Sequence, residues 1–310
     1  MRQSNIVVIG SLNMDIVVEA PRFPQVGETI SGTKAHFIPG GKGGNQAVAA
    51  ARLGARTHMV GMVGDDAFGG ALIQSLAANQ VITKRVTQTA EEPTGLASIM
   101  IAHEDNHIVV VPGANALCLP ENIEALEETI AAADIVLLQL EIPMETVVAA
   151  AEMAKRHGKT VILNPAPAQK LPDALLHSVD FMTPNRSELY LLTGIDPYGD
   201  GLEKAIDALL EMGPRCVVTT LGSAGSVYKE KGKELIAIPA HHVPVVDTTG
   251  AGDAFNGGLG YALSIGYGLD QAVRFAGKVS ALAVTRFGAQ AGMPTLDEVK
   301  AFALKLMQPE

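Results

Sequence analysis

Within DTTGAGDAF, residues 247 to 255, Asp253 follows a turn made of Gly250, Ala251 and Gly252, just before a run that reads as a helix. A glycine turn that opens a helix presents several backbone N–H groups at the positive end of the helix dipole, which makes an anion site. Gly250 and Gly252 would let the backbone come close to a phosphate. Asp253, in the first helical turn beside that site, is expected to be stabilised in its charged form and so to be ready to accept a proton. The same residues also read as an ordinary capping aspartate with glycines that serve the turn alone. Two rival phosphate motifs fit less well. No GxxxxGK[ST] occurs in the chain, and the dinucleotide GxGxxG would need a third glycine where Phe255 stands, after the first strand rather than late in the chain.

A second glycine cluster, PGGKGGNQA at 39 to 47, also leads into a helical run. It could be no more than a flexible loop, but Lys42 and Asn45 within it set a cation and an amide on a backbone that a ligand can approach. SLNMD, residues 11 to 15, adds Asn13 and Asp15 at the carboxyl end of the first strand, where open α/β sheets place ligands. Amide, carboxylate and ammonium in one cleft suit a polyhydroxylated substrate such as a sugar.

The elements that must hold these groups alternate. Strand-like runs fall at 5–10, 57–64, 134–141, 160–167, 180–185 and 215–222, and helix-like stretches at 44–54, 66–79, 120–132, 143–157, 187–193 and 201–212. That rhythm predicts a three-layer α/β/α fold, doubly wound around a mostly parallel sheet. Two segments break it: 12–39, with three prolines among short alternations, and 94–111, which reads as a hairpin around the turn EDN. Lacking helices of their own, they are assigned to a small β-sheet lid on a single domain spanning 1–310. Such a sheet needs something to cover its free face, and pairing of two lids into a homodimer is expected. The stretch 252–307 is helical in pattern.

Composition narrows the partners. With 23 Lys and Arg against 33 Asp and Glu, the net charge is −10 and no basic stripe is present, so nucleic acid is disfavoured. No apolar run reaches membrane length or forms a secretory core, which predicts a cytoplasmic protein with no membrane partner. Cys118 and Cys216 read as reduced core thiols, the scattered Met residues as core filler, and His241 with His242 as a solvated pair.

GGKGGNQA followed by Gly54 and Gly64, together with DTTGAGDAFNGGLG, resembles the two signature motifs of the phosphofructokinase B family of sugar kinases in order and separation, and the likeness runs essentially end to end. The resemblance implies that Asn13, Asp15, Gly41, Lys42, Asn45 and Glu141 hold the sugar hydroxyls. It implies Asn185 and Glu188 for the phosphate and Mg²⁺ region, and Thr220, Gly222, Ser223 and Gly225 along the nucleotide. Gly250, Ala251 and Gly252 would form an anion hole, with Asp253 as catalytic base. An activating K⁺ would lie near Asp247, Thr249, Ala283, Arg286, Gly288 and Gly292. The chain departs from the family pattern at Gly292, where Ser is expected, and at Gly277, near the adenine, where Asn or His is more usual.

The activity so implied is ATP-dependent phosphorylation of the primary hydroxyl of a pentose, D-ribose at O5 foremost, under a lid that excludes water. A sister kinase for deoxyribose, another free sugar or a nucleoside is the alternative, and a sugar-binding regulator without catalysis a more distant one.

Overall fold

The computed structural model describes residues 4–103 and 105–306. Among the described residues thirteen strands form two sheets. The larger runs in the order β13(Ile236–Ile238), β12(Ser226–Glu230), β11(Cys216–Thr220), β10(Phe181–Met182), β9(Thr160–Leu163), β8(Ile135–Leu138), β1(Asn5–Ile9), β4(Arg56–Gly64), β5(Ile82–Thr89), parallel except at β12 and β13. The smaller runs β3(Lys34–Gly40), β2(Asn13–Glu19), β6(Gly95–Ala102), β7(Asp105–Val111).

Central strands are continuous apolar runs because both faces of the sheet are covered. Alternation along each strand divides the residues between two cores: Ile6 and Val8 with Ile135 and Leu137 face one, Val7 and Ile9 with Val136 and Leu138 the other. Helices Lys42–Arg52, Ala67–Ala78, Ala251–Ser264 and Leu269–Ala283 close the first core, and Met144–Arg156, Arg186–Thr193 and Gly201–Glu211 close the second.

The chain runs from β1 outward to β4 and β5, then returns to β8 on the other side of β1. Strand order therefore reverses at β1 and β8, and a ligand cleft is expected beyond their carboxyl ends. Ser11 to Asn13 follow β1 there, and Gln139 to Glu141 follow β8.

The lid is the four-stranded sheet. Its apolar cluster is small, Val17, Ala97 and Ile99 with Ile38 and Ile101, and Phe37 and Val109 stay 60% and 63% exposed. Ala102 pairs with Asp105, so Asp105 and Asn106 of the expected turn belong to the strand, with His103 at φ 53° before them; Glu104 of that turn lies outside the described residues. The expected helix at 120–132 is two short pieces, Glu121–Glu124 and Glu127–Ala131. Among the described residues no helix is long and apolar enough to cross a membrane.

Candidate active site

Two cavities open along the carboxyl edge of the large sheet. The first, about 410 Å³, is lined by Thr220, Gly222, Ser223, Gly225, Ala251 and Gly252, all expected along the nucleotide or in the anion hole, and by an apolar wall that includes Val243, Val245, Phe255 and Val284. Gly277 also lines it, and a Cβ there would meet nothing, so the chain leaves room where a side chain was expected. His241 and His242 lie on its wall as well. The reading as a solvated pair fits His242, which is exposed, and is corrected for His241, which is half-buried and edge-on to Phe302, with burial and the charge of Lys278 holding it below the usual histidine range.

The second cavity, about 730 Å³, is lined by Asn13, Lys42, Asn115, Glu141 and Glu188 among apolar residues from the lid and from the loops after β8 and β9. Both volumes fall in the range of small-molecule sites. Glu188, expected beside the nucleotide phosphates, thus faces the second cavity. It also caps its own helix, accepting from Asn185 N and Nδ2 at 2.8 and 2.9 Å. An isolated bridge sets Asn185 beside Thr220.

Asp253 lines neither cavity itself but has neighbours in both. Gly252, next to it, lines the first, and Lys42, whose charge acts on it, lines the second. Its carboxylate makes no helix cap. Oδ2 accepts from Asn45 Nδ2 at 2.9 Å and Oδ1 from Gln46 Nε2 at 3.0 Å, so the capping alternative does not describe what this side chain does. Burial is the dominant influence and raises its pKa above the ordinary carboxyl value, while Lys42 and the two amides pull the other way. The expectation that the charged form would be stabilised is therefore corrected, since desolvation outweighs the favourable neighbours. A buried carboxylate with a raised pKa is the better proton acceptor.

The turn before it is built for close approach. Gly250 has φ 75°, and a Cβ there would stand 2.9 Å from Ala289 Cβ, so both backbone and packing require glycine. A Cβ on Gly252 would touch nothing, which leaves that position open toward whatever occupies the first cavity. Ala251 N–H bonds Thr248 O at 3.2 Å and the first helical bond is Ala254 N to Gly250 O, which leaves the Gly252 and Asp253 amides facing outward at the helix start.

Around Lys42, burial would depress the ammonium, but Asp253, Glu141, Glu188 and Asp15 together hold it above its ordinary value. Glu141 Oε2 accepts from Lys42 N at 3.2 Å and from Ser11 Oγ, which tethers the carboxylate across the strand-order reversal. Gly41 is the residue before helix Lys42–Arg52 and starts it with φ 82°. Asn13 Oδ1 accepts from Asn115 Nδ2 at 2.8 Å, and Asn115 also bonds the backbone of Leu12 on both sides, so Asn115 fixes how Asn13 faces the cavity. Asp15 lies over Gly40, buried, and burial followed by Glu141 and Asp253 raises its pKa to about 7. Asn45 Oδ1 is buried with no partner, an acceptor suited to a hydroxyl.

Farther along, Asp247 accepts from Thr249 N and Gly288 N, each at 2.9 Å. The carbonyls of Ala283 and Arg286 converge beside Gly292, where a Cβ would stand 2.7 Å from Ala283 O. The guanidinium of Arg286 is turned away onto Glu298, so only its carbonyl serves this place.

Residues 3–296 match the pfkB family carbohydrate kinases. The chain belongs to that family. It is therefore an enzyme of the carbohydrate kinase class. A ribokinase of Bacillus subtilis is 43% identical over 296 residues, 96% of this chain and 98% of that protein. A deoxyribokinase of Salmonella typhi is 35% identical over 302 residues, 96% and 98% of the two chains. The structure of an Arabidopsis thaliana ribokinase complexed with ribose and ATP superposes with a TM-score of 0.92 at 35% identity, all of both chains covered.

Among residues this pfkB-family site uses, Ser11, Gln46, Asn115, Gln139 and Asn164 escaped the sequence reading. Their roles come from partners about a hundred residues away, such as Asn115 with Asn13 and Gln46 with Asn164, and no local spacing marks such pairs.

Proposed function

We propose that this kinase transfers the γ-phosphoryl group of ATP to O5 of D-ribose. The observation that carries the reading is Asp253, a buried carboxylate free of capping duty, set between a cavity of sugar-type polar groups and a glycine turn that lines the other. Asp253 takes the proton of the sugar hydroxyl as that oxygen bonds to the γ-phosphorus. The bond from phosphorus to the bridging oxygen breaks and ADP leaves. The outward amides and the helix dipole stabilise charge on the transferred group. Asn13, Asp15, Lys42, Asn45 and Glu141 hold the sugar while the lid excludes water.

The donor sets fit the two cations. Glu188 and Asn185 offer hard oxygen ligands for Mg²⁺, which when bound neutralises phosphate charge. Asp247 and the carbonyls of Thr249, Ala283, Arg286 and Gly288 near Gly292 would supply oxygen ligands to a K⁺ held there. Gly292 contributes no side chain, and the crowding against Ala283 O supports glycine there. The named ribokinase and deoxyribokinase relatives make ribose and deoxyribose the sugars to compare first. An ADP-release assay across ribose, deoxyribose, fructose and adenosine tests the choice. Ribose is expected to give the highest kcat/KM, and a higher value for any other acceptor reassigns the substrate.

Asp15 links sugar affinity to pH. Its folded pKa of about 7 against 3.8 means its contribution to folded stability is full below pH 3.8 and lost as pH rises through about 7. Ribose hydroxyls pair with the ionised form, so the ribose KM is expected to rise as pH falls below about 7, by up to roughly tenfold per unit. A pH profile measures this, and Asp15→Asn should flatten it; an unchanged slope in that variant assigns the titration elsewhere.

The lid supports assembly. Phe37, Val109 and Val111 remain exposed on a sheet whose own cluster is small, and a second copy pairing lid to lid would cover them. Sedimentation at micromolar protein should give the mass of two chains, and a single-chain mass contradicts the pairing.

A further inference from the structure

Behind Asp253 runs a chain of buried polar side chains that line neither cavity. Gln139 Nε2 donates to Gln46 Oε1 at 2.7 Å, and Gln46 Nε2 donates to Asp253 Oδ1 at 3.0 Å and to Asn164 Oδ1 at 3.3 Å. Asn164 Nδ2 then donates to Thr183 O, Thr183 Oγ1 to Asn256 Oδ1 at 2.6 Å, and Asn256 Nδ2 to Gly252 O at 2.9 Å. The chain leaves the carboxylate and returns to the glycine turn one residue before it.

Packing alone does not ask for these groups. Gln46 and Gln139 are both 0% exposed, Gln46 stands beside the apolar run Ala47 to Ala51, and burying two amides costs free energy that their hydrogen bonds offset only in part, since Gln139 Oε1 is left without a partner. The backbone makes room for them: a Cβ on Gly10 would stand 1.8 Å from Gln139 Oε1, so position 10 must be glycine while Gln139 holds this place. Orientation is fixed as well. Because the Gln139 amide occupies the Gln46 oxygen, the Gln46 NH₂ must face the carboxylate.

We propose that Gln46 is a positioning residue for phosphoryl transfer, clamping the Asp253 carboxylate toward the acceptor hydroxyl. Gln139 locks Gln46, and the branch through Asn164, Thr183 and Asn256 ties the same clamp to the Gly252 carbonyl. This rests on Asp253 being the base. Asn45 holds the other carboxylate oxygen, but Asn45 also offers a free acceptor to the sugar, whereas Gln46 has no polar atom left for one. Loss of Gln46 should therefore change the chemical step and leave binding alone.

Gln46→Met keeps length and burial but removes the donor. A hydrogen bond to a charged group corresponds to a loss of roughly 10-fold to 100-fold, and kcat is expected to fall by that amount with ribose and ATP dissociation constants within about twofold of wild type. The amide favours the charged carboxylate against burial, so its loss should also move the acid limb of the kcat profile to higher pH. Gln139→Met, which leaves Gln46 present but unlocked, should show the same direction with a smaller fall. A folded Gln46→Met enzyme with wild-type kcat and acid limb overturns the clamp. Should that variant not fold, an unchanged kcat and limb in Gln139→Met overturns it equally. Asp253→Asn on the same day separates the two readings: if it is inactive while the glutamine variants are normal, the base stands and the clamp falls, and if it keeps its kcat, the base itself falls.

Discussion

Asp253→Asn is expected to fold and to bind ribose and ATP near normally while kcat falls by about 10²-fold to 10⁴-fold. Asparagine keeps the size and can still accept at its oxygen, but it cannot take the hydroxyl proton. The helix loses no cap, because the Asp253 side chain makes none. One contact does turn unfavourable, since the new NH₂ must face either the Asn45 or the Gln46 amide. A modest drop in Tm accompanies the variant for that reason. The loose transition state of phosphoryl transfer needs little proton removal early, which places the expected fall toward the lower end of the range without removing it. Measurement of kcat, both dissociation constants and Tm on one preparation checks this. Near-normal kcat in a folded variant contradicts the base assignment.

Asp15→Ala carries the second large effect. The carboxylate is 8% exposed, lies against Gly40 and shares a strand face with Asn13, so in the proposed complex it would reach the sugar from the lid, opposite Lys42 at the start of its helix and Glu141 in the loop after β8. Losing a buried hydrogen-bonding partner of a substrate hydroxyl can lower efficiency by up to roughly 10⁴-fold. The ribose KM should rise steeply and the ATP KM stay almost unchanged, because Asp15 is not among the residues lining the first cavity. Steady-state kinetics with each substrate varied in turn reads the split. Equal damage to both constants makes Asp15 a structural residue of the lid.

The parts of the fold that the sequence revealed are those where local pattern and burial coincide. β1, β8 and β9 are apolar on both faces, and the turns at Gly41 and Gly250 gather glycine, charge and a helix start within a few residues. β5 and β12 were not legible because charge interrupts them: Lys84 and Arg85 in β5, an edge strand, and Lys229 and Glu230 in β12, one strand in from the opposite edge. The site divides the same way. Asn13, Lys42, Glu141 and Asp253 announce themselves by type and motif, whereas Asn115 and Gln139 look like isolated amides until the strand-order reversal brings them against Asn13 and Gln46. The net effect of burial on Asp253 was equally hidden, because it depends on packing from helix Lys42–Arg52 that lies some two hundred residues earlier.

Phosphorus and carbon NMR of the product formed from ATP and ¹³C-labelled D-ribose tests the central claim most directly. A single new phosphomonoester coupled to C5, formed in step with ADP and absent when Asp253→Asn replaces the wild-type enzyme, is the predicted result. Phosphate attached at C1, or ADP that accumulates with no sugar phosphate at all, would contradict it.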